Sequence, residues 1–542
     1  MYRHARKKLA LFLIFTLISV LLSSCLNTKN EEETQEELQV EDEAQVEEYE
    51  PVRGGTLFLH CITPDTLNPL TSKSKSVKQV LSLVYEGLVK LDQKLNAVPS
   101  LAERWEVSAD ALTWTFYLRK DVKWHDNTPF TADDVEFTLK TLAGVKYDSI
   151  YKQNIQQVSY FSVLDQHTIK LVLKSPNSNF VNLMVFPIVP KHQFSNIDYN
   201  PLGTGPYRFV EYSARKYIKF TANDLWWNEN KPYIDYIHVR IIPDHNTALY
   251  ALEAKEIDMV STDIVDWEKY SSKDNLKVAE YVTNQYEFLG VNFNNKVLSE
   301  NAVRKAIAFA LDREAIINEV LLGHARIVDS PFNNEMWVFD SSAQVYYHDI
   351  QKARDILINA GWADSNADGI FDKVIDNMSV PLSFEVLVNE DNDIRVRTAE
   401  MIVKQLMEIG MNVRLKKVPW EDMNNLINMK QYDMVLSAMN LSGDADLSFA
   451  FHSSAIGTGT NFISYNNPQM DQLLSNALIQ TTDNGRKQAF SQLNDYIIDE
   501  LPYISLYLRT SAIIYNSRIK GELNPHFSNI YNDIEKLYIE YN

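Results

Sequence analysis

Cysteine is almost missing from this chain of 542 residues. Cys25 and Cys61 are the only two, so at most one disulfide is possible and cysteine pairing does not organise a protein of this size. Basic blocks are missing as well. Beyond the first eight residues no cluster of Lys and Arg occurs, and 52 basic against 72 acidic side chains leave a net charge of −20. Such a surface repels phosphate backbones and anionic lipid headgroups, which argues against nucleic-acid binding. The chain has no Gly-x-Ser-x-Gly, no His-Glu-x-x-His, no Gly-x-x-x-x-Gly-Lys and no Cys-x-x-Cys, and its 11 histidines are scattered singly. The common nucleophile, zinc, phosphate-loop and dithiol chemistries therefore find no support, although a carboxylate pair for glycoside chemistry stays open among so many acids. What is abundant is apolar: 45% hydrophobic and 11% aromatic residues supply a large core, too apolar for a disordered chain.

The N-terminus carries a compact signal. Arg3, Arg6, Lys7 and Lys8 precede a mostly apolar run from Leu9 to Leu22, which is followed by Ser23-Ser24-Cys25. A basic region, a short apolar region and small residues read as an export signal, and the run is shorter than the roughly 20 residues that span a bilayer. Cysteine directly after Leu-Ser-Ser resembles a bacterial lipobox, which implies that Cys25 is acylated and becomes the mature N-terminus. Cys61 is then left without a partner, and its place in the apolar run Leu57 to Ile62 makes it a buried, inert thiol. Residues 26–50 hold 11 acids against Lys29 and almost nothing to bury, so they read as an acidic, disordered tether. The tether contributes −10 and residues 1–25 contribute +4, so the remaining residues carry −20 + 10 − 4 = −14.

After Pro51 no low-complexity or repeated segment interrupts the chain, and short strands alternate with amphipathic helices, an α/β pattern. Strands are expected over Gly54 to Ile62, Thr113 to Leu118, Val413 to Val418 and Met434 to Met439. Helices are expected over Lys75 to Leu88, from a capped start at Thr131, over Asn301 to Leu322 in one piece, over Asp349 to Ala360, and over Arg395 to Ile409 and Arg486 to Leu501.

Several motifs occur in order along the chain. The stretch Leu101-Ala-Glu-Arg-Trp-Glu-Val, with Leu112-Thr-Trp-Thr-Phe-Tyr-Leu-Arg-Lys-Asp-Val-Lys-Trp-His125, is followed by Thr131-Ala-Asp-Asp-Val135. Then come Gly203-Thr-Gly-Pro-Tyr207, Trp227-Asn228 with Lys231-Pro-Tyr-Ile-Asp235, Arg304 with Ala308-Phe-Ala-Leu-Asp-Arg-Glu314, and Ala360-Gly-Trp362. This array, spanning about residues 52–520, resembles the family 5 extracellular solute-binding proteins, the oligopeptide, dipeptide and nickel receptors of ABC importers. The resemblance implies an α/β, two-lobed periplasmic-binding-protein-like fold of type II, with an extra subdomain and a ligand cleft between the lobes. Residues 51–93, 203–288 and 505–542 map to the core of lobe I, residues 94–202 to its inserted subdomain, and residues 289–504 to lobe II, with a hinge near 202, 288 and 504. It further implies a non-enzymatic receptor without a cofactor, expected to act as a monomer. The receptor would be lipid-anchored on the extracytoplasmic face of a bacterial membrane and would hand peptides to permease subunits. A same-fold receptor for a nickel chelate, haem or oligosaccharide is the alternative, and an exported hydrolase or structural surface protein is a third.

By residue type alone, Gly203 and Gly205 permit either positive φ or close backbone approach, Trp114, Trp124, Trp226 and Trp227 read as core, and Arg304, Asp312 and Arg313 read as local pairing and capping residues. The resemblance places the ligand site on Tyr432 to Asp446, continuing to Phe451-His-Ser453. Ala438, Met439 and Asn440 would offer backbone groups to a peptide, and Asp444, or Asp446 in its stead, would meet the α-amine. Asn292 and Tyr507 complete the candidate set. Ala438-Met439 stands where the family carries Gly-Trp, and Ala445 where it carries proline. Finally, Asp364, Asn366, Asp368 and Asp372 around Gly369 imitate a calcium loop, but Ile375 stands where a bidentate glutamate is needed, so an Asx-rich turn is the expectation.

Overall fold

The computed structural model describes residues 51–541 apart from Lys146, Asn334 and residues 338–344. The export signal, Cys25 and the acidic tether lie outside the described residues.

Three sheets carry the fold. The first joins Thr56–Cys61, Tyr236–Ile241, Tyr217–Ala222 and Tyr207–Ser213 in that order, with only the first pair parallel. Its strands alternate: Leu57, Leu59 and Cys61 point into the core, and the residues between them are half-buried. The second is an antiparallel sheet of Ala102–Val107, Thr113–Leu118, Thr168–Leu173 and Val158–Asp165. Trp114, Phe116 and Leu118 on one strand and Ile169, Leu171 and Leu173 on the next form its inner face. These residues share one continuous core with those of the first sheet, so the second sheet packs against the first rather than around a core of its own. At roughly 1.5–3 kcal/mol for each fully buried large side chain, that shared core is what fixes the second sheet in place.

The third sheet has seven strands. Met259–Thr262, Tyr503–Asn516, Leu276–Val291, Met434–Asn440, Ser383–Asn389 and Asn412–Val418 follow one another, and Ala325–Ile327 adds to Tyr503–Asn516. The two longest strands, Leu276–Val291 and Tyr503–Asn516, pair antiparallel and link separate cores. At one end Tyr281 and Ile513 join the core of the first two sheets, and at the other Leu289, Val291, Ile504 and Leu506 join a second core with Ile307, Ile402 and Leu436. Positions 288 and 504, where lobe edges are expected, lie within continuous strands, and the pairing slips between Val282 and Tyr286 and again between Glu287 and Phe288.

Local chemistry accounts for most helix ends. Thr131 and Asp134 form the expected capping box on Ala132–Ala143. Asp349 caps Ile350–Asn359, Asn392 caps Asp393–Met407, and Thr482 caps Asp483–Glu500. Two expectations are corrected. The single helix over Asn301 to Leu322 is two helices, Asn301–Ala310 and Arg313–Leu321, because Leu311 is extended and Asp312 accepts a hydrogen bond from the Ala315 N–H at 2.8 Å, opening a new helix. The helix expected to reach Leu88 ends at Leu81, because the carbonyls of Leu83, Val84 and Glu86 accept from Tyr207, Gly205 and Ile188 instead of continuing the helical ladder.

That crossing decides between the two readings of Gly203 and Gly205. Neither has positive φ. A Cβ on Gly203 would stand 1.8 Å from the Val84 carbonyl oxygen, and one on Gly205 would stand 2.8 Å from those of Leu83 and Val84, so close backbone approach is the reason for glycine. Trp114, Trp124 and Trp226 are buried and Trp227 is half-buried. Arg304 donates to the carbonyls of Leu298, Ser299, Glu500 and Leu501, and Arg313 pairs with Asp329 at 2.7 Å. Cys61 is a buried free thiol whose pKa burial pushes up to about 12. Among the described residues no helix is long and apolar enough to cross a membrane.

Candidate functional site

Met434–Asn440 pairs along its whole length with Leu276–Val291, from Met434 opposite Val291 to Asn440 opposite Gln285. On its other side Ser383–Asn389 pairs only with Met434 and Val435. From Leu436 to Asn440 that edge carries no ladder partner among the described residues. Burial falls along the same stretch: Leu436 and Ser437 are buried, Ala438 and Met439 half-buried, and Asn440 exposed. An unpaired edge of this kind offers main-chain donors and acceptors to an extended chain.

The loop after it turns back on the long strand, with the Leu441 N–H donating to the Asn284 carbonyl at 2.8 Å. Ala445 has φ of 56°, a value the proline ring excludes, so this loop follows a path that the family's proline could not take. Three asparagines anchor it. Asn177 donates to Asp444 Oδ2 at 2.8 Å, Asn179 to the Asp444 carbonyl at 3.1 Å, and Asn182 to the Gly443 carbonyl at 2.9 Å. Asp444 is only 2% exposed, and its carboxylate also accepts from Ser442 Oγ at 2.5 Å and from Gln157 Nε2 at 3.4 Å. Burial, and then the neighbouring charge of Asp446, push its carboxyl above the ordinary aspartate range. Asp446 is half-buried and accepts from the Ser448 N–H at 2.8 Å.

A cavity of about 810 Å³ opens beside this loop, lined on one wall by Asn284, Asn440, Asp444 and Asp446 and on others by Lys78, Glu86, Tyr151 and Asn154. Its size suits a small solute or a short peptide. Glu86 is held by four hydrogen bonds: Thr204 Oγ1 at 2.8 Å, Trp226 Nε1 at 3.2 Å, and Trp227 Nε1 to both carboxylate oxygens at 3.2 and 3.0 Å. Burial nonetheless dominates and raises its pKa to about 7, the donors only partly opposing it.

Asn440, Asp444 and Asp446 are thus brought together at the cavity. Asn292 and Tyr507 are not. Asn292 is buried and donates to the carbonyls of Lys430 and Tyr432 at 3.2 and 2.8 Å, while the Tyr507 hydroxyl is buried 3.5 Å from Thr398 Oγ1. The oxygens of the Asp364 loop are spent on the loop itself. Asp364 accepts from the N–H groups of Asp368 and Gly369, Asp368 from that of Ile370, and Asp372 from Ser365 and Ser379, the pattern of an Asx-rich turn. Sequence reasoning missed Glu86 and the asparagine trio. Asn177-Ser178-Asn179 was a readable cluster of turn formers, but nothing local says that it faces residues more than 260 positions away.

The cavity is thus walled by segments from distant parts of the chain, and the exposed end of the free strand edge, Asn440, lines it. Residues 96–461 match the model of the bacterial extracellular solute-binding proteins, family 5. The chain belongs to this family, and its fold is the mixed α/β type II architecture of periplasmic binding proteins. It is similar to the oligopeptide-binding protein AppA of Bacillus subtilis, at 29% identity over 98% of this chain and 99% of that protein. It is also similar to the dipeptide-binding protein of Escherichia coli, at 25% over 86% of this chain and 92% of that protein. Among solved structures, the AppA complex with a nonapeptide covers 91% of this chain and 100% of that one with a TM-score of 0.64. NikZ from Campylobacter jejuni with Ni(L-His), at 25% identity, covers 89% of this chain and 99% of that one with a TM-score of 0.66.

Glu86 supplies a test of the cavity's electrostatics. The native state binds its proton more tightly than the unfolded chain, so this group adds stability as pH falls from about 7 toward its ordinary value of 4.5. Unfolding free energies of wild type minus Glu86→Gln should rise by up to about 1.4 kcal/mol per pH unit over that interval. A flat difference would show that the four donors hold Glu86 as an ordinary carboxylate.

Proposed function

We propose that this protein is the lipid-anchored, extracytoplasmic receptor of an ABC importer, that it captures peptides, and that it delivers them to the permease. The observation that carries the peptide reading is the free edge of Leu436–Asn440, whose exposed end, Asn440, lines the cavity. A peptide laid along it extends the sheet by main-chain hydrogen bonds, which read no side chain and so suit a receptor of broad specificity. The names of the relatives support the same reading, since AppA and the Escherichia coli protein are both peptide-binding proteins.

Closure is the second element. The two long strands are the natural flexing line, because their pairing already slips between Val282 and Phe288. With the lobes closed over it, a peptide ammonium needs a carboxylate. To use Asp444 it must displace Asn177 and Gln157, whereas Asp446 holds one main-chain N–H and borders the cavity. Asp446 is therefore the proposed amine partner, with Asp444 holding the loop in place. Cys25 supplies the membrane anchor, its acyl chains giving stable attachment without a transmembrane helix.

Calorimetry on ligand-stripped protein tests the capture. Peptides should bind, and Asp446→Asn should weaken free-amine peptides by roughly two to three orders of magnitude while leaving N-acetylated analogues nearly unchanged, since it strands a buried charge. Failure of every peptide to bind would overturn the reading. The anchor is tested by fractionation: Cys25→Ala should move the protein from the membrane to the soluble fraction, and retention after a high-salt wash would contradict lipidation.

A further inference from the structure

Most ionic groups that line the cavity already have protein partners. Glu86 accepts from Thr204, Trp226 and Trp227, Asp444 accepts from Asn177 and Ser442, and Lys90 pairs with Asp533 at 3.3 Å. Lys75 and Lys78 differ. Both line the same cavity, and neither has an ion pair or a side-chain hydrogen bond among the described residues. The contrast with their neighbour is sharp, since Lys73 finds Asp148 at 2.6 Å on the open surface.

The two lysines lie three residues apart on the helix Lys75–Leu81, a spacing that puts them on one face. Helix stability does not explain them. Lys75 stands in the first turn, where a cation opposes the helix dipole, and that turn holds no acid. Lys78 is half-buried, and burial disfavours its charged form, with the like charge of Lys75 adding to the effect. Asp65 is the carboxylate that offsets this, but it already accepts from Ser72 Oγ and from the Lys73 N–H, both at 2.7 Å. A half-dehydrated ammonium on a residue lining a cavity, in a folded body of net charge −14, gains most from a charge-assisted hydrogen bond to an anion.

We propose that Lys78, supported by Lys75, is the subsite that receives a carboxylate of the bound solute, so that the receptor favours peptides presenting a carboxylate at that wall of the cavity. The inference rests on the peptide reading above. The carboxylate is either the peptide's C-terminus or an acidic side chain, and both offer the same two acceptor oxygens to a Lys ammonium.

An alanine-based peptide series of increasing length, each member made as free acid and as C-terminal amide, and with one alanine replaced by Glu or by Gln, separates the sources. In calorimetry on ligand-stripped wild type, the analogue that lacks the recognised carboxylate should bind roughly tenfold more weakly, the scale of one charge-assisted contact. A loss on C-amidation assigns the terminus, and a loss from Glu to Gln assigns the side chain. Lys78→Met should erase that difference, Lys78→Arg should restore much of it, and the unliganded melting temperature should change little, because the side chain is partly exposed and makes no hydrogen bond or ion pair among the described residues. Peptides that bind wild type without distinguishing acid from amide or Glu from Gln, or a Lys78→Met loss equal for all analogues, would overturn this subsite while leaving peptide capture intact. A series in which nothing binds wild type would overturn both.

Discussion

The antiparallel pairing of Leu276–Val291 with Tyr503–Asn516 is the constraint on which the rest of the molecule depends. These strands run from one hydrophobic core into another, so the relative placement of the two cores is set by main-chain hydrogen bonds rather than by a loose linker. Where the register slips, between Val282 and Phe288, the ladder is locally broken and the strands bend most easily. The same region supports the site. Gln285, Glu287 and Phe288 are the partners of Asn440, Ala438 and Ser437, so any flexing of the long pair moves the free edge directly. Glu287 is itself clamped, buried against Arg395 at 3.0 Å, which ties the strand to the helix Asp393–Met407. A buried pair of this kind adds little net stability but fixes geometry, because either partner alone would be an uncompensated charge.

The polar economy of the cavity follows from its position between distant segments. Asn177, Asn179 and Asn182 dock the 441–447 loop with neutral donors, which cost less to bury than lysines would. Glu86 joins the turn after the helix Lys75–Leu81 to the Gly203–Gly205 crossing and to both tryptophans. What the protein leaves unpaired is then informative. Under the proposed reading the free strand edge pairs with main chain, the half-buried Asp446 meets an ammonium, and Lys78 meets a carboxylate of the solute.

Much of the scaffold was legible in the sequence because its signals are local. The strand-forming composition of Thr113–Leu118, the capped start at Thr131 and the helical pattern after Asp349 each depend on residues within a few positions. The failures have a common cause in long-range demand. The helix after Lys75 stops early because the crossing at Gly203 takes its carbonyls, and no pattern near residue 84 announces that. Asp312 was read as a capping residue, yet the apolar period running through Leu311 hid that it starts a second helix. The resemblance to a family strand placed the candidate site on a stretch of which Asn440, Asp444 and Asp446 border the cavity, but the inner arrangement was not legible. Asp444 is occupied by Asn177, which is 267 positions away, and Asn292 and Tyr507 serve the interior instead of the cavity.

Amide hydrogen exchange tests the central claim, that solute is held along the free edge of the Met434–Asn440 strand. With a peptide that binds the ligand-stripped protein, the account predicts strong slowing at the N–H groups between Leu436 and Asn440 that do not serve the Leu276–Val291 ladder, together with slowing at the slipped region around Val282 to Phe288 as the lobes close. Unchanged exchange along Leu436–Asn440 at saturating peptide, with protection gained elsewhere, would contradict it.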